Sequence, residues 1–285
     1  MTDIQIGDVS DTALWVAAYR ALESERPDAL FHDAMASVLV GDRGRDIVKR
    51  MKRSHLTAWS VVIRTVMIDN FIHDLVAKGV DTIINIGAGL DTRPYRMALP
   101  PSLTWIEADF PHMIAMKEEK LRDARPVCQL RRAAVDLADR DAVKAFLADA
   151  VAGAGKALVL TEGVVMYLTA EQVSSLATDI KAQPAIGYWI LDYYTKSMHR
   201  HFTMRSRREA MKNAPFRFFP GDWRGFFKKH GFAIVDIRYY GLEGLRLKRR
   251  PPARRWVNLM FKLMPKTMRI ARAKSSGYAV LEPMR

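Results

Sequence analysis

Thr82-Ile83-Ile84-Asn85-Ile86-Gly87-Ala88-Gly89-Leu90-Asp91-Thr92-Arg93-Pro94-Tyr95-Arg96 is the stretch whose reading decides the fold. Thr82 to Ile86 is β-branched except at Asn85, which suits a buried strand. The strand runs straight into Gly87-Ala88-Gly89. Two glycines at this spacing let the backbone turn sharply and a ligand approach with no Cβ in the way. Asp109 follows Gly89 by twenty residues, at the end of the next apolar run. An acidic residue at roughly that distance meets the ribose of an adenosine-containing cofactor.

Outward from this stretch the chain alternates strand and helix. Leu103 to Ala108, Val127 to Val135, Ala157 to Thr161, Ile186 to Tyr193, Phe232 to Tyr240 and Tyr278 to Leu281 read as further strands. Helices are expected from Pro111 to about Arg122, from Asp139 to Val151, and after Thr169, which caps with Glu171 two residues on. A polar helical stretch (Lys196 to Lys212) and another at Pro220 to His230 follow. Such alternation predicts a mostly parallel sheet with helices on both faces, whose ligands sit at the carboxyl ends of the strands. Residues 1–79 read as a helical cap and lead-in helix. Thr12 is the expected N-cap of the first helix, and Pro27 the start of a second that carries Leu30, Phe31, Met35 and Val38 and ends at Gly41-Asp42-Arg43-Gly44. Ser54 to Lys78 is apolar on more than one side, with Gly79 as its C-cap.

A nicotinamide dinucleotide fingerprint wants a third glycine five residues after the first. That position is Thr92, preceded by Asp91. A carboxylate where a pyrophosphate would lie is unfavourable. A cofactor without phosphates, carrying a cationic centre and an amino group, suits an acidic, glycine-rich pocket better. S-adenosylmethionine has these properties.

Ile84 to Arg96 resembles the signature of the leucine carboxyl methyltransferase family, on the side of its bacterial branch, which includes polyketide carboxyl O-methyltransferases similar to the tetracenomycin type. The likeness continues in Arg64-Thr65-Val66-Met67-Ile68-Asp69, Trp105-Ile106-Glu107-Ala108-Asp109-Phe110-Pro111, Val135-Asp136-Leu137 and Leu160-Thr161-Glu162-Gly163-Val164-Val165-Met166-Tyr167-Leu168, and covers about residues 12 to 195. It implies an α/β class I S-adenosylmethionine-dependent methyltransferase, Rossmann-like, with a seven-stranded mostly parallel sheet and an N-terminal helical cap. It also implies cofactor contacts. Gly87, with Ala88 and Gly89, lets the backbone meet the cofactor. Asp109 takes the ribose hydroxyls, with Glu107 the alternative on the same strand face. Asp136 and Leu137 meet the adenine end, Glu162 the methionine amino group, and Arg64 the methionine carboxylate.

Tyr19, Arg20, Tyr167, Tyr193, Tyr194 and Arg205 stand where a cap or a strand end can touch an acidic substrate. A carboxylate acceptor is already ionised at pH 7 and needs no general base, whereas a phenol or enol needs one. No sharp base stands out: His199 and His201 lie in the polar stretch, His55 and His73 on the long helix. The expected function is methyl esterification of a carboxyl group on a small molecule, polyketide-like by resemblance. The alternatives are a protein C-terminal carboxyl methyltransferase, an NAD(P)-dependent oxidoreductase and a non-enzymatic scaffold.

Composition limits the rest. The chain has 285 residues, 49% of them hydrophobic, enough for one packed α/β domain. It shows no run of about 18 uncharged apolar residues and no signal-peptide pattern at Met1-Thr-Asp-Ile-Gln-Ile. One cysteine, Cys128, cannot form an internal disulfide, and a cytoplasmic location is expected. The net charge of +14 is concentrated in Leu242 to Lys274, which holds eleven Lys/Arg against the single acid Glu243. Trp256, Leu259, Met260, Leu263 and Met264 recur there at helical spacing, and Pro265 ends or kinks that helix. The simple reading is a solvated helix whose apolar stripe packs on its own core. The functional readings are an acidic membrane surface or an acidic partner. No zinc pattern or aromatic RNA-binding strand points to specific nucleic-acid binding.

Overall fold

The computed structural model describes residues 9–41, 55–196, 198, 215–252 and 263–285. The β-branched run Thr82–Ile86 (β1) is buried at every position. It lies between Thr104–Asp109 (β2) and Ala157–Thr161 (β4), parallel to both. Gln129–Ala134 (β3) pairs beyond β2, and Ile186–Tyr194 (β5) beyond β4, again parallel. Ser276–Pro283 (β7) runs antiparallel between β5 and Phe232–Tyr239 (β6), so the order is β3-β2-β1-β4-β5-β7-β6. This is the class I methyltransferase sheet the resemblance implies.

Helices cover both faces because each strand alternates its apolar side chains between them. Val9–Ser24 (α1), residues 34–41 (α2) and His55–Val76 (α3) precede the sheet. Ile63, Met67, Phe71 and Ile72 of α3 pack with Ile83, Trp105 and Leu160 on one face. The short Arg93–Arg96 (α4) and Pro111–Leu121 (α5) follow β1 and β2. On the other face Phe146 and Leu147 of Arg140–Ala150 (α6), Leu176 and Ile180 of Ala170–Lys181 (α7), and Trp223 and Phe227 of Trp223–Lys229 (α8) close over Ile84, Ile106, Val159 and Trp189. Tyr240–Arg246 (α9) and Lys266–Ala273 (α10) lie between β6 and β7. Leu14 and Ala17 of α1 pack with Leu39 of α2 on Leu90, so the cap rests directly on the turn after β1.

Several boundaries differ from those expected. Helix α1 starts at Val9, so Thr12 is inside it rather than its N-cap. Pro27 does not open a helix. Residues 25–33 turn, with Leu30 N donating to Glu23 Oε1, and α2 begins after Asp33, whose Oδ1 accepts Ala36 N at 2.9 Å. Thr169 bonds the Glu171 side chain, as expected, and also Gln172: Gln172 N donates to Thr169 Oγ1 and Thr169 N to Gln172 Oε1, a reciprocal capping box. Tyr240 leaves β6 to start α9. The helix expected over Lys196 to Lys212 falls almost wholly outside the described residues, as do Trp256, Leu259 and Met260.

Candidate cofactor site

Strand order reverses between β1 and β4, and both of their carboxyl ends carry glycine turns. A crevice opens at such a point in an α/β sheet. Gly87 N and Ala88 N both donate to Ala108 O, at 2.8 and 3.1 Å, which folds the chain back over β2. Gly87 takes φ +67°, and a Cβ there would overlap Val164 Cγ2 from the turn after β4. Gly163, at φ +68°, makes the facing turn. Only glycine holds that backbone without strain while leaving the space clear.

Asp109 closes β2. Its Oδ2 accepts Gly89 N at 2.6 Å and its Oδ1 accepts Phe110 N at 2.7 Å, so the carboxylate is fixed against the glycine turn. Asp136 follows the neighbouring β3; its Oδ1 accepts Ala138 N at 2.8 Å, its side chain is exposed, and Leu137 packs inward. Glu162 ends β4, with Oε1 2.8 Å from Arg64 Nε and Oε2 2.8 Å from Arg93 Nη1. Arg64 reaches across from α3, with Nη1 3.7 Å from where a Cβ on Gly163 would stand. Burial alone would raise the Glu162 carboxyl, but Arg93 and Arg64 hold it below its ordinary range. The implied cofactor residues Arg64, Gly87, Ala88, Gly89, Asp109, Asp136, Leu137 and Glu162 therefore line one set of adjacent strand ends.

Below the turn lies a lattice of buried charge that the sequence reading did not assemble. Arg93 bonds Asp69 Oδ1 through Nε at 2.7 Å and Asp91 Oδ2 through Nη1 at 2.6 Å, besides Glu162. Arg96 holds Asp69 with two bonds of 2.7 and 2.9 Å. Asp33 accepts Arg20 Nε at 2.8 Å and Thr92 Oγ1 at 2.6 Å, and Arg20 also donates to Leu90 O. Burial would raise the Asp91 carboxyl, yet Arg93, then Lys117 and Arg20, hold it well below the usual carboxylate range. This corrects the electrostatic case against a phosphate. Asp91 is not a bare anion at the turn but a neutralised partner of Arg93 and Asn85 beneath it. Arg20 is likewise corrected from a substrate contact to a strut between Asp33 and Leu90.

Other expected residues sort by their partners. Glu107 is fully buried, with one oxygen on Lys117 Nζ (2.7 Å) and the other on Arg132 Nε (2.9 Å), which leaves Asp109 as the β2 carboxylate facing the crevice. Tyr193 is corrected from the substrate side to the core, edge-on to Trp223 and Tyr239. Tyr19 is buried in the cap beside Trp15. Tyr167, on the turn after β4, packs at a tilt against Phe216, and burial pushes its phenol up to about 12. Tyr194 OH donates to Asp192 Oδ1 at 3.0 Å. His55 and His73 are exposed on α3, and Arg205, His199 and His201 lie outside the described residues.

Asp192 is the site residue the sequence reading missed. It is a lone carboxylate in an apolar strand, near the carboxyl end of β5, and its Oδ2 accepts Gly163 N at 3.0 Å. It thereby fixes the turn that faces Gly87. Burial pushes its carboxyl up to about 6. Its signal was a single buried charge close to a strand end, which needs a local partner. Arg93, buried just beyond the turn after β1, carried a similar signal.

Beside β5 a cavity of about 250 Å³ is lined by Tyr194, Lys196, Phe218, Phe219, Pro220 and Trp223. A larger one, about 350 Å³, opens near Tyr95, Leu121, Leu130 and Arg132. Neither is lined by a strand-end carboxylate, but the smaller one includes Tyr194, whose OH donates to Asp192 near the end of β5, so it is the better acceptor space. Among the described residues no cluster of His, Cys, Asp and Glu could hold a metal ion.

The donor set fits S-adenosylmethionine: paired acceptor oxygens on Asp109 for a vicinal diol, a guanidinium on Arg64 for a carboxylate, and turns at Gly87 and Gly163 stripped of Cβ atoms. The sequence profile of the leucine carboxyl methyltransferase family matches residues 13–181, more than half of the chain. The chain belongs to that family. A relative from Streptomyces coelicolor, named as a putative S-adenosyl-L-methionine-dependent methyltransferase, is 34% identical over 194 residues, covering 65% of this chain and 68% of the relative. The crystal structure of a putative methyltransferase from Thermobifida fusca superposes with a TM-score of 0.55 at 12% identity over 99% of this chain and 100% of that one. A DUF574 family protein from Streptomyces avermitilis gives 0.53 at 14% identity, over 94% and 96%. These two likenesses show the fold.

Proposed function

We propose that this member of the family transfers a methyl group to a carboxyl oxygen of a small-molecule acceptor. At the coarser level it is an S-adenosylmethionine-dependent methyltransferase. The observation that carries the reading is the Arg64–Glu162 pair set between the Gly87 and Gly163 turns, one strand away from Asp109. Bound there, the cofactor supplies an electrophilic methyl on a sulfonium. The residues of the chain do the positioning. Asp109 orients the ribose from the glycine turn, Arg64 the carboxylate, and Glu162 the amino group. Lys196 stands at the rim of the aromatic-lined cavity beside β5, where an acidic acceptor meets a cation and an apolar wall. A carboxylate oxygen forms the new bond to carbon as the carbon–sulfur bond breaks, and a neutral ester and a thioether result. Charge is lost in that step, so a partly apolar, water-poor cavity favours it, and an ionised acceptor needs no base. The free, buried thiol of Cys128 accords with a cytoplasmic protein.

Calorimetry with S-adenosylhomocysteine and with NADH tests the cofactor. Binding of NADH alone overturns the reading. Asp109→Ala should weaken S-adenosylhomocysteine by about 10- to 100-fold, the worth of hydrogen bonds to a charged acceptor. Labelled methyl incorporated from a screen of carboxylic acids tests the acceptor. An ester releases its label in mild alkali; a label that survives alkali belongs to an ether or an amine and refutes the carboxyl assignment. Label found on protein instead would support the C-terminal carboxyl alternative.

A further inference from the structure

The basic segment between β6 and β7 has a definite place in the fold. β7 is antiparallel to both β5 and β6, so β6 ends where β5 ends. Tyr194 pairs with Ser276, and Tyr239 with Gly277. Everything between Tyr239 and Ser276 therefore leaves and re-enters the sheet at the carboxyl end, the end that carries Glu162, Asp192 and the cavity beside β5.

The glycines of α9 sit in close contact with other parts of the chain. A Cβ at Gly244 would strike Trp59 and Arg249 O, and one at Gly241 would strike the backbone of Ala273. Trp59 Nε1 donates to Arg249 O at 2.8 Å, and the Arg249 guanidinium reaches Glu23 and Asp28 of the cap. Tyr240 and Leu247 pack inward on the core, whereas several other large apolar residues of these helices are exposed. Leu245 on α9 is 54% exposed, and Leu263, Met268 and Ile270 on and just before α10 are 77%, 56% and 40% exposed. Lys248, Arg250, Lys266 and Arg272 are exposed among them. Of the expected apolar stripe only Leu263 and Met264 are described, Leu263 exposed and Met264 half-buried; Trp256, Leu259 and Met260 lie outside the described residues. The one acid of the segment, Glu243, is already paired with Arg246 at 2.8 Å.

An outward face that is both cationic and apolar complements a surface that is anionic outside and apolar beneath. A polyanion such as duplex DNA matches the charge but offers nothing for Leu263 and Met268 to enter. We propose that the α9–α10 surface docks on an anionic lipid bilayer, which sets the strand-end crevice at the interface. This goes beyond methyl transfer and does not depend on which acceptor is used.

Co-sedimentation of the full chain with phosphatidylcholine vesicles, with and without phosphatidylglycerol, tests it. The protein should pellet with the anionic vesicles, stay in solution with the neutral ones, and be largely released at about 0.5 M salt. The double variant Leu263→Ser/Met268→Ser should lower the partition coefficient by about tenfold or more, through lost apolar burial. The charge variant Lys266→Gln/Arg272→Gln should lower it by a similar factor, since each basic residue near an anionic surface contributes roughly fivefold. Both variants should keep the wild-type unfolding midpoint. Three results would overturn the proposal: no binding to anionic vesicles, equal binding by the Leu263→Ser/Met268→Ser variant, or displacement of the protein from vesicles by duplex DNA at equal phosphate. A lowered unfolding midpoint for the Leu263→Ser/Met268→Ser variant would also overturn it, because those side chains would then be packed on their own chain.

Discussion

The protein uses arginine in two opposite ways. Beneath the glycine turn, Arg20, Arg93 and Arg96 are buried, and each faces carboxylates of its own chain on other elements. In the strip between β6 and β7, Arg250 and Arg272 are exposed, and the acids that could pair with them are all but absent from the sequence around them. Buried and paired, a guanidinium fixes shape. It cannot leave its carboxylates without stranding charge in a low dielectric. Exposed and in excess, the same group adds little to the fold and offers its field to something outside. The +14 net charge is thus no property of the molecule as a whole. The lattice is close to neutral, and the surplus lies in one stretch of sequence, Leu242 to Lys274.

Breaking the lattice should have the largest effect. Arg93→Met removes the cation from between Asp69, Asp91 and Glu162 and leaves three carboxylates facing one another. Urea denaturation should show a loss of about 3–5 kcal/mol, the usual cost of removing one partner from a buried pair. A loss below about 1 kcal/mol, the range of surface pairs, would mean that the lattice is hydrated and the contrast with the exposed strip is false.

Asp192 separates the two regimes by pH. Its carboxyl is pushed up to about 6 by burial, against the pull of Tyr278, Arg64 and Tyr194, with Glu162 adding to the rise. Tyr240 from α9 faces the same group. In the unfolded chain Asp192 ionises near its ordinary 3.8, so between the two values the native state holds the proton more tightly. Its contribution to stability therefore falls as pH rises from about 4 to about 6 and stays low above that. Asp91, Asp33 and Glu162 work the other way, because their carboxyls are lowered: what they contribute is lost as pH drops through the acid range. Comparing wild type with Asp192→Asn isolates the first effect. The variant should gain on wild type by up to roughly 3 kcal/mol between pH 4 and pH 7, on the scale of 1.36 kcal/mol for each pH unit between the two values. A difference that does not change with pH would place Asp192 in contact with water.

What was legible in the sequence was local. The strand at 82–86 and its glycine turn could be read because β-branching and missing Cβ atoms act within a few residues. The alternation of elements pointed to a mostly parallel sheet, and the resemblance added its seven strands; their order came from the structure. The lattice was not legible. Arg93 meets Asp69 and Glu162 across 24 and 69 residues of chain, and only the packing of α3 against β4 makes them neighbours. Asp91 was misread for the same reason, as a charge without its partner. In the strip, helical spacing placed an apolar stripe over Trp256 to Met264, mostly outside the described residues, and did not show α10, which starts beyond Pro265. Nor did it show the close approach of Ala273 to Gly241 and of Trp59 to Gly244, which only glycine at those positions of α9 admits.

The smallest prediction closes the comparison. Arg272 lies in the last turn of α10 and is exposed. If exposed arginine contributes only through the helix dipole, Arg272→Gln should cost no more than about 0.5 kcal/mol, measured by the same denaturation as Arg93→Met. Both replacements remove the same guanidinium, so the ratio of the two losses, about six- to tenfold or more, reports chiefly the difference of environment. A loss at Arg272 approaching that at Arg93 would require a carboxylate partner inside the chain. The cationic face would then be internal structure, and the vesicle experiment would fail with it.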